Sequence, residues 1–245
     1  MDNAPTTAIT RRELIRLTGI TGQSVSRRGG RSINADAVAG HTDPATGHTA
    51  FVVADGVGDH LLAARAARTA ATTVAREAAA HGPQSGILAA QRELLREFPE
   101  PSADAVLVVA VLPDDRSSGS CEIAWVGDCR AYRWNGRVLH QVTTDHTVAE
   151  YLRTRGVEPA ARADHMVYTT VRTVRATDIG CAVTGTSTGR LLLSTDGVHK
   201  MLTIAQVKEI LAAHPTPDTA AETLVDTALR AGGTDNTTAL VIDSH

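Results

Sequence analysis

The sequence predicts an α+β sandwich, and three observations carry that reading. Short apolar runs joined by tight turns recur at hairpin spacing, which favours antiparallel sheets over a doubly wound parallel one. Helical segments come in pairs between the runs of strands. The 245 residues, at roughly 150 per domain, suit one large domain or two small ones, and no repeat, long linker or low-complexity tract marks a boundary. The whole span 1–245 is read as a single domain, with residues 1 to about 15 as a flexible N-terminal tail.

Thr49–Ala54 is an apolar run ending at Asp55-Gly56, which is strand-then-turn chemistry. Asp59 is placed to cap a long helix from His60 to about Ala80, rich in Ala, Leu and Arg and stopped near Gly82-Pro83. A second helix covers roughly Gln84–Glu97. Ala105–Leu112 and Glu122–Val126 read as strands around the polar turn Pro113–Ser120. Ala131–Trp134 and Arg137–Gln141 flank Asn135-Gly136, the strongest short hairpin signal in the chain.

A polar helix, His146–Arg155, and an irregular stretch to about Gly189 follow, before Arg190–Thr195 reads as a strand ending at Asp196-Gly197. Thr203-Ile204-Ala205-Gln206 is a capping box opening a helix to about Ala213. Thr216-Pro217 opens another to Ala231, with proline at the first helical position and Gly232-Gly233 as its stop. Thr237–Asp243 is the last strand.

Composition excludes several function classes. The net charge of −3 and the small aromatic set, two Trp, three Tyr and two Phe, argue against a nucleic-acid surface. The longest apolar run is Ala105–Leu112, short of the roughly 18 residues a spanning helix needs. Met1–Arg12 has no apolar core of a secretory signal, so a cytoplasmic, non-membrane protein is expected. Cys121, Cys129 and Cys181 never form a CxxC pair, which indicates neither a disulfide framework nor a zinc ribbon.

Three times a carboxylate appears where an apolar run meets a small turn residue: Ala54-Asp55-Gly56, Thr195-Asp196-Gly197 and Thr234-Asp235-Asn236. A fourth, Asp36, lies in Arg31-Ser32-Ile33-Asn34-Ala35-Asp36. Any one alone is ordinary turn chemistry. Together they can converge on one rim, where clustered carboxylates repel unless cations neutralise them. An all-oxygen set selects hard cations, Mg²⁺ or Mn²⁺, over Zn²⁺. Such centres often hold two ions about 3.5–4 Å apart that clamp a phosphoryl group.

These residues stand in segments that resemble the metal-dependent protein phosphatases of the PPM (type 2C) family, bacterial serine/threonine type, over nearly the whole chain. Arg31-x-x-Asn34-x-Asp36 resembles the family's opening R-x-x-N-x-D, and Val53–His60 its bacterial ADGMGGH. Val126–Tyr132 resembles VGDSRAY, and Thr143–Thr147 resembles TxDHS. Leu192–Val198 resembles LLxSDGL, and Asp235-Asn236-Thr237-Thr238 the closing DNxT.

The resemblance implies a four-layer α-β-β-α sandwich, two central antiparallel sheets flanked by helix pairs. It implies that Asp55, the carbonyl of Gly56, Asp196 and Asp235 bind two Mn²⁺ or Mg²⁺ ions, with Asp36 in or behind that set and no conventional third site. A metal-bridging water or hydroxide would attack the phosphorus of phosphoserine or phosphothreonine in line, Asp36, Asp55, Asp196 and Asp235 forming the catalytic set. Arg31 would hold the phosphate oxygens with its planar fork. The implied partners are phosphoserine and phosphothreonine proteins, among them a cognate Hanks-type kinase or its substrates, and no nucleic acid or membrane.

The chain departs from the family pattern at several positions. Val57 follows the first Asp-Gly where eukaryotic members have His, His60 reads as a capping or surface residue, and Asp59 stands where Gly is usual. Ser102-Ala103-Asp104-Ala105 replaces a Gly-Thr-Thr strand opening, and Asp104 would serve a third ion only if the strand shifted. Cys129 reads as a small core residue, His165 as exposed or substrate-facing, and Arg11-Arg12 and Arg27-Arg28 as solvated, with a phosphopeptide contact as the alternative for the latter pair. The alternative function is a catalytically weak PPM-like phosphoprotein-binding or regulatory module. A phosphatase for an anti-sigma-factor antagonist would share the chemistry and differ only in substrate.

Overall fold

The computed structural model describes residues 10–17, 19–114 and 119–245. In chain order its strands are β1 (Thr10–Leu17), β2 (Ile20–Arg27), β3 (Asp36–Thr42), β4 (Thr49–Gly56), β5 (Ala105–Leu112), β6 (Glu122–Val126), β7 (Arg130–Trp134), β8 (Leu139–Gln141), β9 (Gly180–Val183), β10 (Gly189–Ser194) and β11 (Thr237–Ser244). The helices are α1 (Leu61–His81), α2 (Pro83–Glu97), α3 (Val148–Arg153), α4 (Asp196–His199), α5 (Ile204–Ala213) and α6 (Pro217–Arg230). Two antiparallel sheets result, one of six strands in the order β1-β2-β11-β10-β7-β8 and one of five in the order β3-β4-β5-β6-β9.

Side-chain alternation stacks these sheets into four layers. Along β5, Ala105, Leu107, Val109 and Val111 face α1 and α2, while Val106, Val108, Ala110 and Leu112 face the other sheet. A strand buried on both faces needs a continuous apolar run, and this one has it. On β10 and β11, Leu191, Leu193, Leu240 and Ile242 point between the sheets, whereas Leu192, Ala239 and Val241 meet α5 and α6. Helix α1 buries Ala63, Ala66, Ala67, Ala70, Ala71 and Val74 along one stripe. Methyl-sized side chains let that helix lie close against β3 and β4.

The capping box at Thr203 and Gln206 forms in both directions, as its sequence predicts. Helix α1 corrects an expectation: His60, not Asp59, caps it, with the imidazole Nδ1 accepting from the Ala63 N–H. Residue 60 already has the extended backbone of a cap, which leaves Asp59 one position outside the helix. Helix α3 is shorter than predicted because Thr147 accepts from the Glu150 N–H and starts it at Val148. Part of the expected tail is strand, since residues 10–17 pair with β2. Residues 1–9, part of that tail, and residues 115–118, part of the predicted turn Pro113–Ser120, lie outside the described residues, as do the side chains of Arg11 and Arg12.

Strands β2, β3 and β9 have no counterpart in the sequence reading. Their residues are mostly small or polar, so no apolar run announces them. Gly180 opens β9 against the Trp125 indole, where a Cβ would come within 2.1 Å of the ring.

Candidate active site

Antiparallel pairing brings the candidate carboxylates together. Asp36 opens β3 and Asp55 lies near the end of β4, and the two are directly opposite in register. Asp196 follows the end of β10, and Asp235 precedes β11, which pairs with β10 in the other sheet. The two sheets are joined at this rim by one carboxylate. Asp36 Oδ2 accepts from Thr195 Oγ1 at 3.0 Å and from Thr238 Oγ1 at 2.5 Å. Gly197 passes so close to the neighbouring turn that a Cβ would lie 2.2 Å from the Asn236 carbonyl oxygen, and only glycine fits.

Arg31 is carried by the loop before β3, which a set of polar contacts holds in place. The buried Asn236 amide accepts from the Ala35 N–H and donates to the carbonyls of Arg28 and Ile33. Asp59 accepts from the Ser32 and Ile33 N–H groups. Gly30 N–H donates to the Thr234 carbonyl. So held, Arg31 donates from Nη2 to Asp235 Oδ2 at 2.7 Å. That bond is the main reason its guanidinium pKa is raised.

The pocket at this rim has a volume of about 180 Å³ and is lined by Arg31, Asp55, Gly56, Asp196 and Asp235, with Asp128, Lys200 and His165. Asp36 is not in its wall but stands behind Asp55, facing a second cleft toward α1. Desolvation pushes three of the carboxyl groups up. Asp36 rises to about 7, burial outweighing its two hydroxyl donors. Asp55 rises well above the usual carboxylate range through burial and then the charges of Asp36, Asp196 and Asp128. Asp128 rises to about 6, chiefly through burial and then the charge of Asp196, with Lys200 opposing.

Two oxygens in this cluster, Asp36 Oδ1 and Asp196 Oδ1, are buried without a hydrogen-bond partner. A buried acceptor left unpaired is costly, and a hard cation satisfies it well. Among the described residues, however, no three His, Cys, Asp or Glu side chains are drawn tightly onto a common point. Arg31 and Lys200 take up part of the negative charge instead. Lys200 Nζ lies 2.5 Å from Asp196 Oδ2 and 3.5 Å from Asp128 Oδ2. The two acidic residues outweigh the burial that would lower the Lys200 pKa and raise it instead.

Lys200 and Asn236 are polar pocket residues to which the sequence reading gave no role of their own. Asn236 had a signal, its place in the DNxT segment. Lys200 had only its spacing four residues after Asp196.

The segments around Asp128 and Asp145 brace the pocket from the side. Arg130 forms a two-pronged pair with Asp145, Nε to Oδ1 at 2.9 Å and Nη2 to Oδ2 at 2.7 Å. His146 N–H donates to the Gly127 carbonyl, and Trp125 Nε1 donates to that of Thr144. Asp104 has a structural role: its carboxylate accepts from the Ala105 and Arg172 N–H groups, away from the pocket. Cys129 is buried, as a small core residue should be. His165 is exposed at the pocket's edge. Arg27 is not simply solvated, since it pairs with Asp226 of α6 at 2.7 Å.

No family model matches the chain. A serine/threonine phosphatase stp of Listeria innocua is 30% identical over 129 residues, 50% of this chain and 51% of that protein. The chain thus spans about half the length of the relative it matches. Among solved structures, the Staphylococcus aureus phosphatase Stp1 superposes with a TM-score of 0.78 at 20% identity, covering 96% of this chain and 98% of that one. The PPM phosphatase MsPP of Mycobacterium smegmatis gives 0.74 at 26% identity, covering 96% and 100%. All three are named as serine/threonine phosphatases, MsPP as one of the PPM type, and this chain has the fold of the two solved structures.

Proposed function

We propose that the chain hydrolyses phosphoserine and phosphothreonine in proteins with the help of Mn²⁺ or Mg²⁺. One observation carries the reading: four carboxylates from adjacent strand ends of two sheets, Asp36, Asp55, Asp196 and Asp235, meet at one rim beside Arg31. Asp55, the Gly56 carbonyl, Asp196 and Asp235 would hold the ions, two per chain, with Asp36 behind them. The unpartnered oxygens of Asp36 and Asp196 support that set. The bound ions would supply positive charge for the phosphoryl oxygens and lower the pKa of an attacking water.

The chain's own residues do the rest. Arg31, released from Asp235, presents two parallel N–H donors to the phosphate. Asp36 ties the sheets together so that the strand ends keep their spacing. The loop pinned by Asn236 and Asp59 sets where the guanidinium stands, and His165 flanks the entry to the pocket. No helix among the described residues is long and apolar enough to cross a membrane. A cytoplasmic setting, with substrates from a Hanks-type kinase system, completes the reading.

The test is hydrolysis of a phosphothreonine peptide by the EDTA-treated protein, before and after Mn²⁺ is restored. Mn²⁺-dependent turnover is expected. Asp196→Asn and Asp235→Asn should each lose more than about 100-fold, beyond the cost usual for residues that only support a metal's ligands. Undiminished turnover in either variant would remove the metal assignment. A protein that binds Mn²⁺ and phosphopeptide without turnover would favour the regulatory-module alternative, which the ammonium inside the carboxylate cluster also suits.

A further inference from the structure

Lys200 is one of only two lysines in the chain, the other being Lys208. Its backbone N–H donates to the Asp196 carbonyl, which fixes it one helical turn beyond that residue. The side chain folds back along α4, so Nζ stands between Asp196 and Asp128, at 2.5 and 3.5 Å from their Oδ2 atoms. Asp128 comes from a different element, the turn after β6, and its side chain is 7% exposed. Two carboxylates from separate parts of the fold therefore converge on one ammonium in a largely desolvated corner of the pocket.

Two ionised acidic side chains brought together this way are stabilised by a cation between them. A divalent ion could serve, since both offer hard oxygen ligands. It cannot share the place with an ammonium, because a doubly charged ion and a fixed positive charge within about 4 Å repel strongly wherever water is scarce. Nor can Lys200 easily move aside, being tethered by its helix at i+4 and only 23% exposed.

We propose that Lys200 is a built-in cation that occupies the Asp128–Asp196 corner and excludes a divalent ion from it. The metal centre is thereby confined to the part of the pocket formed by Asp55, Gly56, Asp235 and the free oxygen of Asp196. Asp128 acts as the partner that positions the ammonium and is not a metal ligand. This rests on the reading of the pocket as a metal centre.

The test counts Mn²⁺ bound per chain by equilibrium dialysis of the metal-stripped full chain, with Mn²⁺ alone as the probe. Lys200→Gln and Lys200→Asp should each bind about one ion more than the wild type, and Lys200→Arg the same number. Adding Asp128→Asn to Lys200→Gln should remove the gain. Asp128→Asn by itself should leave the wild-type count unchanged, a measurement that does not depend on how the Lys200 variants fold. Equal counts in wild type and both uncharged or acidic variants, or the loss of an ion in Asp128→Asn alone, would overturn the proposal while leaving the metal centre standing. If neither the wild type nor any variant bound Mn²⁺, the reading of the pocket would fall and the proposal with it.

Discussion

Asp196 and Asp235 stand at adjacent ends of β10 and β11, and each gives one carboxylate oxygen to a cation, but the two cations are held differently. Arg31 belongs to a loop and its side chain is 41% exposed. Lys200 caps the end of α4, one turn beyond its own partner, and its side chain is 23% exposed. A guanidinium on a pinned loop can turn from a carboxylate to an incoming phosphate without disturbing the backbone. An ammonium packed between two carboxylates cannot leave without stranding both. One edge of the pocket is thus arranged for exchange and the other for permanence.

Removing the exchangeable cation is the strongest way to sharpen that contrast. Arg31→Ala should raise KM for a phosphopeptide by about 10- to 100-fold, the worth of about one charge-assisted hydrogen bond. Mn²⁺ affinity should hold or improve, because Asp235 is freed from its ion pair. Steady-state kinetics with an Mn²⁺ titration checks both, and an unchanged KM would mean that Arg31 serves Asp235 and not the substrate.

A smaller effect comes from loosening the loop while leaving Arg31 in place. Asn236→Ala would strand the Ala35 N–H and the carbonyls of Arg28 and Ile33. Urea unfolding should show a loss of about 2 kcal/mol, and KM should rise with it. Wild-type stability in this variant would show that the loop is held by Asp59 and Gly30 alone.

The mildest probe is pH. In the metal-free protein Asp36 and Asp55 hold protons that the unfolded chain has released, since their pKa values are raised far above 3.8. Stability contributed this way falls as pH rises. Burial lowers the pKa of His146 and His199 and acts in the opposite sense, but only below the usual histidine value of 6.5. Between pH 6.5 and about 8 the carboxyl groups act alone, so the melting temperature of the stripped protein should drop by several degrees. Mn²⁺ needs the ionised forms, so its stabilising effect should grow over the same interval. A metal-free melting curve that is flat or rising across it would contradict the assigned burial.

What the sequence made legible follows from locality. Asp55 and Asp196 stand between an apolar run and a glycine, and Asp235 between Thr234 and Asn236, patterns readable within a few residues. The layer structure came from the family resemblance, and β5, apolar on both faces as a strand between two layers must be, agrees with it. Lys200 was not legible, because its meaning depends on Asp128, seventy-two positions earlier. Strands β2 and β3 were missed for a related reason. Their small and polar residues owe their extended form to pairing with β11 and β4, not to any pattern of their own. Asp59 looked like a helix cap by composition, yet the cap goes to whichever residue has the extended backbone, and that is His60.

The order of strands in the larger sheet has a consequence for how the molecule comes to exist at all. β11 is the last element in chain order, yet it lies in the interior of its sheet, between β2 and β10. Its register with β2 joins residues more than two hundred positions apart, among the slowest contacts for a chain to find. Until it inserts, the strands on either side of it are two unjoined ribbons, and Asp36 lacks the Thr238 hydroxyl that steadies it. As the chain emerges from the ribosome, the layer of α1, α2 and the smaller sheet can assemble early. The pocket is completed only when β11 inserts, so a chain in which it has not yet paired has no assembled site.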